Sequence, residues 1–126
     1  MGDGTRKILV VDDSSTMRRI LRLTLARCGY TEVTEAGDGQ QALALCEAEV
    51  FGCILTDWNM PNMDGLKFIQ RVRTLPAYAK TPIIMVTTEG AQDDVIEALT
   101  HGATSYIIKP FTPDTLKQKM QEIWPV

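Results

Sequence analysis

The chain has 126 residues, a length that predicts one ordinary domain with a buried core and no separate output domain. Its formal net charge of −3 argues against a general affinity for nucleic acid or for an anionic membrane surface, so we expect protein partners and small ions. No apolar stretch approaches the ~18 residues of a membrane span, and no apolar signal-peptide core follows the start, so we expect a cytosolic protein.

Five strands and five helices are predicted in alternation, because each apolar run of strand length is followed by apolar residues at helical spacing. The predicted strands are residues 7–11, 31–36, a run that ends at Asp57, a run that begins near Pro82, and a run that ends at Ile108. The predicted helices have apolar faces within residues 17–28, 42–46, 66–72, 91–99 and 116–123. Gly29 and the pair His101-Gly102 are typical of helix ends.

This alternation predicts an α/β fold, in which a doubly wound parallel sheet is covered by helices on both faces through right-handed crossovers. The first, third and fourth strands are almost wholly apolar, which is typical of central strands buried on both faces. The second strand, residues 31–36, is half polar and predicts one edge of the sheet. The fifth strand contains Ser105 and Tyr106 and predicts the other edge.

Four of the apolar runs stop on residues suited to phosphate or metal chemistry. These residues are Asp12 with Asp13, Asp57, Thr87 and Lys109. Because parallel strands end at one edge of their sheet, where ligands of such folds bind, we expect the five side chains to converge in one pocket. Two carboxylates about 4 Å apart repel by roughly 4 kcal/mol at an effective dielectric of about 20. Three carboxylates against one lysine therefore need a cation, or one of them must take up a proton.

Mg²⁺ that keeps some of its waters suits this pocket better than Ca²⁺, because the sequence offers no cage of six or more oxygen ligands. A hydrated divalent cation beside a carboxylate, a hydroxyl and an ammonium is typical of phosphoryl transfer with a carboxylate nucleophile. Taken singly, the same residues have structural interpretations. Asp12 and Asp13 suit a turn and a helix cap, Thr87 a strand end, and Lys109 a solvated charge. Jointly they would form an acidic cluster without a purpose, which favours the functional hypothesis.

Other polar and reactive residues predict no site. Cys28, Cys46 and Cys53 lack metal-type spacing and are interpreted as reduced core thiols. His101 suits the last turn of a helix, and Trp124 is expected to anchor the final helix. The pair Asp64-Gly65 is interpreted as a turn and helix entry. The arginines of the first helix are interpreted as a solvated face that could contact an acidic partner: Arg18, Arg19, Arg22 and Arg27.

Four motifs, at residues 10–14, 56–65, 86–88 and 108–111, resemble the receiver domain of two-component response regulators, and in particular its stand-alone chemotaxis members. The resemblance covers essentially the whole chain. It implies that residues 1–126 form a single receiver domain with the flavodoxin-like strand order 2-1-3-4-5.

The resemblance also implies a role for each pocket residue. Asp57 would accept a phosphoryl group from a kinase phosphohistidine, Lys109 would pair with one phosphoryl oxygen, and Thr87 would swing to donate to another. The bond between Lys109 and Pro110 is expected to be cis. The implied Mg²⁺ ligands are Asp12, mainly through bound water, with Asp13, Asp57 and the backbone carbonyl of Asn59. No organic cofactor is implied.

On the output side, the resemblance implies that Tyr106 turns inward as Thr87 moves and so reshapes the face made by the fourth helix, fifth strand and fifth helix. The residues expected to form the switch and output surface are Tyr106, Thr88, Glu89, Val95 and Leu99. Asn59 and Glu89 are expected to help set how fast water attacks the acyl phosphate. The chain departs from the family pattern at Thr88, where alanine is common, and at Ala91-Gln92, where many chemotaxis members are basic.

The implied function is that of a bacterial, cytoplasmic, monomeric response regulator, which catalyses only its own phosphorylation and dephosphorylation. Its implied partners are a sensor histidine kinase of the chemotaxis type, a flagellar motor switch protein or another protein target, and a phosphatase. Two alternatives stay open at this point. One is a phosphate sink or phosphorelay shuttle. The other is a Mg²⁺-dependent phosphotransferase or phosphatase for small molecules, against which the sequence offers no lid and no spare general acid beside Asp57.

Overall fold

The computed structural model describes residues 6–125, and it confirms five repeats of strand followed by helix. The strands are β1 (Ile8–Val11), β2 (Val33–Ala36), β3 (Cys53–Thr56), β4 (Ile83–Thr87) and β5 (Ser105–Ile108). The helices are α1 (Ser15–Arg27), α2 (Gly39–Ala48), α3 (Gly65–Val72), α4 (Gln92–Thr100) and α5 (Pro113–Ile123). A short 3-10 turn at Pro76–Tyr78, which the sequence pattern did not predict, lies between α3 and β4.

The five strands form one parallel sheet in the order β2-β1-β3-β4-β5, which confirms the doubly wound, flavodoxin-like prediction. Every residue of β1, β3 and β4 is buried, whereas β2 and β5 keep partly exposed residues at the two edges, as their mixed polarity predicted. Strand β2 begins two residues later than expected. The pairing nevertheless extends further, because the Ile8 N–H donates to the Glu32 carbonyl over 2.8 Å.

Alternate residues of each central strand enter two separate cores. Leu9 and Val11 of β1 pack in a core that also contains buried residues of α2, α3 and α4. Ile8 and Val10 pack on the opposite face against α1 and α5. This two-residue alternation is the geometry of an extended strand, and it explains why a strand covered on both faces is apolar over most of its length. No α-helix within residues 6–125 combines the length and apolarity needed to cross a membrane.

Local residue chemistry sets most helix ends. Four N-terminal caps accept a hydrogen bond from the backbone N–H three residues later: Ser14, Asp38, Asp64 and Thr112. Helix α4 has no such cap, but Asp93 and Asp94 lie in its first turn, where carboxylates suit the helix dipole. Gly29 (φ 96°) and Gly102 (φ 119°) adopt the left-handed conformation just past α1 and α4, which confirms both predicted ends.

The thiols and the terminal tryptophan are structural. All three cysteines are free, and burial raises the pKa of Cys46 to about 11 and that of Cys53 to about 12, so these two thiols stay protonated near neutral pH. Trp124 stacks on Tyr30 with ring centroids 5.8 Å apart, and the Tyr30 hydroxyl donates to the Trp124 carbonyl over 2.7 Å. The interpretation as core thiols is therefore confirmed for Cys46 and Cys53, whereas Cys28 is half-buried against the core, and the interpretation of Trp124 as an anchor of α5 is confirmed.

Candidate functional site

Three carboxylates lie together at the carboxyl ends of β1 and β3. One oxygen from each of Asp12, Asp13 and Asp57 can be chosen so that all three lie within 4.8 Å of one another. Asp12 is buried, with 1% of its surface exposed, whereas Asp13 is exposed to solvent. The Asp57 side chain is 12% exposed, so part of it remains in contact with solvent.

Lys109 bridges two of these carboxylates. Its Nζ donates to Asp12 Oδ2 over 2.8 Å and to Asp57 Oδ2 over 2.9 Å, and its side chain is 11% exposed. The Lys109 N–H donates to the Thr87 carbonyl over 2.8 Å, and the Lys109–Pro110 peptide bond is cis as expected. The lysine therefore reaches across three strand ends, those of β1, β3 and β4, to enter the pocket.

Burial and pairing act in opposite directions on the charges of this pocket. Burial raises the pKa of the Asp12 carboxyl, and hydrogen bonds from Lys109 and from the Ser14 N–H offset part of the rise. For Lys109 burial lowers the pKa, but its bonds to Asp12 and Asp57 outweigh that effect and the net pKa is raised. The ammonium is therefore charged at neutral pH, and this single cation lies among three carboxyl groups, of which it can neutralise only one.

The donor set of the pocket fits a hard divalent cation. It consists of carboxylate oxygens without any cysteine or histidine, and such ligands suit Mg²⁺ in preference to softer metals. A cation there would offset the excess negative charge. Asp12, Asp13 and Asp57 are the side chains that can hold it, and the Asn59 carbonyl stays a prediction as a fourth ligand.

Gly65, the first residue of α3, lies directly against the backbone of Asp57. Trp58 N–H donates to Asp57 Oδ1 over 2.6 Å, and Gly65 N–H donates to the Trp58 carbonyl over 2.7 Å. A Cβ atom at Gly65 would lie 1.9 Å from the Asp57 carbonyl oxygen, far inside contact distance. The interpretation of Asp64-Gly65 as turn and helix entry is confirmed by the Asp64 cap, but Gly65 also gives α3 the clearance to pass behind Asp57.

Two loops meet at the mouth of the pocket. Asn59 Nδ2, in the loop after β3, donates to Glu89 Oε2, in the loop after β4, over 2.9 Å. Thr87 is buried at the end of β4, and its hydroxyl accepts a long bond of 3.5 Å from the Glu89 N–H. Thr88 is exposed, so its side chain lies toward solvent. Glu89 therefore connects the Thr87 hydroxyl with Asn59, which lies two residues after Asp57.

The geometry is that of an acidic pocket whose Asp57 carboxylate is paired with the Lys109 ammonium, and the family comparison identifies the domain that contains it. The response regulator receiver domain family matches residues 8–121, from the first residue of β1 into α5. The chain belongs to this family. Every residue of the receiver pocket described above lies inside the matched span.

Relatives of this receiver include chemotaxis proteins. A Campylobacter jejuni chemotaxis protein CheY homolog is 51% identical over 118 residues, which are 93% of this chain and 91% of that protein. Helicobacter pylori chemotaxis protein CheY1 is 50% identical over 118 residues, 93% of this chain and 95% of that protein. The receiver is therefore a CheY-like response regulator.

Solved structures show the same fold. Vibrio cholerae chemotaxis protein CheY4 superposes with a TM-score of 0.88 at 41% identity, over 95% of this chain and 99% of that one. The receiver domain of a Pseudomonas aeruginosa sensor histidine kinase has a TM-score of 0.86 at 29% identity, over 95% of this chain and 98% of that one. The latter structure has a magnesium ion coordinated in its active-site cleft.

Tyr106, the expected reporter residue of the receiver, contacts the loop that follows β4. The Tyr106 hydroxyl donates to the Glu89 backbone carbonyl. Burial, followed by the nearby charge of Asp94, raises the pKa of Tyr106 to about 12, so the phenol keeps the proton that it donates. Val95 is half-buried in α4, and Leu99 is 43% exposed on the same helix. The structure thus links Tyr106 through Glu89 to Asn59, and it leaves Leu99 of the expected output face exposed to solvent.

Sequence reasoning missed one residue beside the receiver pocket. Arg18 was interpreted as part of a solvated helix face, which is wrong for this residue, because its side chain is only 21% exposed and forms two hydrogen bonds. One of these bonds is to the backbone carbonyl of Asp12. The helical spacing of the arginines held no signal for this contact, because it depends on where β1 and α1 are placed in space.

Proposed function

We propose that Asp57 of this chain accepts a phosphoryl group from the phosphohistidine of a sensor histidine kinase in a Mg²⁺-dependent reaction. The observation that carries the proposal is the bridge from Lys109 Nζ to Asp57 Oδ2 over 2.9 Å, inside a cluster of three carboxylates. An acceptor carboxylate, an ammonium and a place for a divalent cation are the parts that phosphoryl transfer needs. The chemotaxis names of the relatives and the magnesium ion in the P. aeruginosa receiver support the same chemistry.

In the transfer step, an Asp57 carboxylate oxygen forms a bond to phosphorus while the bond from phosphorus to the histidine nitrogen breaks. That nitrogen keeps the electron pair and takes up a proton from solvent. The Lys109 ammonium binds the Asp57 carboxylate. In the transfer step it would neutralise one phosphoryl oxygen, and the Thr87 hydroxyl would donate a hydrogen bond to another. Bound Mg²⁺ supplies further positive charge for the phosphoryl oxygens. Asp12, Asp13 and Asp57 would hold that cation.

The reset step is attack of water on the acyl phosphate, which restores the Asp57 carboxylate and releases inorganic phosphate. The bond between Asn59 and Glu89 joins the loop that follows Asp57 to the loop that follows Thr87. Receiver domains are generally not classical enzymes, and in this proposal both reactions take place on the protein's own Asp57 side chain. We expect loss of the Asn59–Glu89 bond to change the lifetime of the phosphoryl group.

The signal would pass through Glu89 to the output face. Glu89 binds Asn59 through its side chain and Tyr106 through its backbone carbonyl. Movement of Thr87 toward a phosphoryl oxygen would displace this loop and break the bond between Tyr106 and the Glu89 carbonyl. The face formed by α4, β5 and α5 would then populate a different conformation. The chemotaxis relatives favour a flagellar motor switch protein as the target, and with it a monomer in the bacterial cytoplasm and an auxiliary phosphatase.

The direct test is to identify where phosphate goes. Purified protein is incubated with acetyl phosphate, with and without Mg²⁺, and followed by intact mass and by Trp58 fluorescence. We expect one added phosphoryl group per chain only when Mg²⁺ is present, with no addition to Asp57→Asn. Turnover of the phosphodonor or of a metabolite that persists in Asp57→Asn would instead indicate a small-molecule phosphotransferase and would refute the proposal.

The target is tested separately from the chemistry. Proteins that copurify with the wild-type chain are compared with those that copurify with Asp57→Asn, and binding of the labelled chain to a motor-switch peptide is measured by titration. We expect labelling to strengthen this binding. A labelled chain whose affinity for the peptide is unchanged would indicate a phosphate sink or relay shuttle.

A further inference from the structure

The guanidinium of Arg18 connects the pocket to the edge of the sheet. Arg18 lies in α1, and its Nη1 donates to the Asp12 backbone carbonyl over 2.7 Å. Its Nε donates to Oε1 of Glu35 in β2 over 2.9 Å. The guanidinium also lies against the turn after β2, because a Cβ atom at Gly37 would be 3.7 Å from Arg18 Nη1. Arg18 is therefore held in one orientation between the pocket segment and β2.

Asp12 has a hydrogen-bond partner at each of its polar groups. Its N–H donates to the Ala36 carbonyl over 3.1 Å, its Oδ1 accepts from the Ser14 N–H over 2.9 Å, and its Oδ2 accepts from Lys109. Its carbonyl accepts from Arg18. Asp12 is 1% exposed, so loss of the arginine would leave a buried carbonyl without this donor and would favour rotation of the peptide that follows.

We propose that Arg18, held by Glu35, is a positioning residue for the cation site of Asp12, Asp13 and Asp57. It acts through the peptide between Asp12 and Asp13, whose orientation sets the direction of both carboxylates. The inference rests on the Mg²⁺ binding proposed above and deepens it by naming the residue that orients the ligands. Contacts that orient metal ligands in this way change metal affinity by about 10–100-fold.

The charge of Arg18 and its geometry predict opposite effects on Mg²⁺ binding. A guanidinium beside the pocket repels another cation, so removal of its charge alone would strengthen Mg²⁺ binding. Removal of its hydrogen bond frees the segment that carries two ligands, which weakens binding. Weaker Mg²⁺ binding by Arg18→Gln therefore identifies positioning, because the electrostatic effect has the other sign.

Arg22 offers a matched control. It lies one turn further along α1, and its Nε forms an ion pair with the other Glu35 oxygen, Oε2, at a distance of 3.1 Å. Its side chain is 48% exposed, and within residues 6–125 the structure records no hydrogen bond from it to Asp12. Arg22→Gln thus removes the same charge from the same helix, and a contact to the same glutamate, while it leaves the bond to the pocket in place.

The experiment titrates Mg²⁺ into the full chain without any phosphodonor and follows Trp58 fluorescence. The variants are Arg18→Gln, Glu35→Gln, Arg22→Gln and Arg18→Lys, and urea unfolding in EDTA confirms that each is folded. We expect Kd for Mg²⁺ to rise about tenfold in Arg18→Gln and by a smaller factor in Glu35→Gln, which frees the guanidinium. Arg22→Gln is expected to stay within about twofold of wild type or to bind slightly more tightly.

Arg18→Lys keeps the charge but replaces the planar fork by a single ammonium, which cannot reproduce both bonds in the same geometry. It should therefore bind Mg²⁺ more weakly than wild type, and it supplies the test if Arg18→Gln does not fold. Wild-type affinity in the folded Arg18 variants, or equal weakening in Arg18→Gln and Arg22→Gln, would overturn the inference. Failure of the wild-type chain itself to bind Mg²⁺ would instead refute the proposed function.

Discussion

The replacement Gly65→Ala tests whether clearance behind the acceptor is required, because the structure leaves no space for a methyl group there. The new Cβ would lie 1.9 Å from the Asp57 carbonyl oxygen and 3.0 Å from Trp58 Cα, and both of these are backbone atoms. A contact of about 3.2 Å would need a shift of at least about 1 Å in α3 or in the acceptor segment.

The energetic cost follows from that shift. Overpacking of this kind costs about 1–3 kcal/mol, and alanine recovers at most ~1 kcal/mol through its higher helix propensity. We therefore expect a net loss of roughly 1–2 kcal/mol in the free energy of unfolding. Displacement of the acceptor by about 1 Å should also slow phosphoryl transfer by roughly 100-fold.

Urea unfolding measures the first effect, and the rate of labelling by acetyl phosphate with Mg²⁺ measures the second. Gly37→Ala is the matched control, because the nearest atom to its Cβ is the Gln41 Oε1 at 3.4 Å, a flexible side-chain end. That control should change stability by no more than about 0.5 kcal/mol. A Gly65→Ala variant with wild-type stability and wild-type labelling would refute the reasoning.

Three further predictions follow from the charges and burial described above. Lys109→Met removes the ammonium between two carboxylates, so Mg²⁺ followed by Trp58 fluorescence should bind more tightly while labelling by acetyl phosphate slows by at least about tenfold; unchanged labelling would contradict this role. The Gln41 N–H and the Asn62 side chain lower the pKa of Asp38, so its contribution is complete above the unfolded-state pKa of about 4 and is lost as the pH falls through its folded pKa. Asp38→Ala should therefore cost about 1 kcal/mol at pH 7 and less in urea unfolding near pH 3; an equal cost at both values would contradict it. Burial raises the pKa of Cys53 to about 12, so iodoacetamide at pH 8 should modify this thiol only after urea unfolding, and rapid labelling of the native chain would contradict its burial.

The order and layering of the fold could be predicted because buried strands consist mostly of apolar residues, whereas an edge strand also contains polar ones. Strands β1, β3 and β4 are covered on both faces, and their residues are apolar except for one threonine at the carboxyl end of β3 and one at that of β4. Strand β2 lies at an edge and keeps Thr34 and Glu35. The pocket could be predicted for the same reason, since its residues stand where apolar strands stop and parallel strands stop at one edge.

The supports of the pocket could not be predicted in the same way. Gly65 looked like an ordinary turn residue, although its missing Cβ is what lets α3 pass the Asp57 carbonyl. Asn62 takes a positive φ of 67° and its amide donates to the Asp38 carboxylate over 2.7 Å, across 24 residues of chain. Such contacts join segments whose spacing in the sequence has no period, and they arise only when the helices have docked.

The sequence by itself determined the class of fold, the edge at which chemistry is placed, and the side chains available for it, because hydrophobic period and strand-end polarity are local properties. Only the tertiary structure decided that Lys109 bridges Asp12 and Asp57, that Glu89 joins Asn59 to Tyr106, and that Arg18 holds the Asp12 carbonyl. The physical reason is the same for each contact. A long polar side chain has several acceptors within reach, and the packing of the helices around it selects the one that it binds.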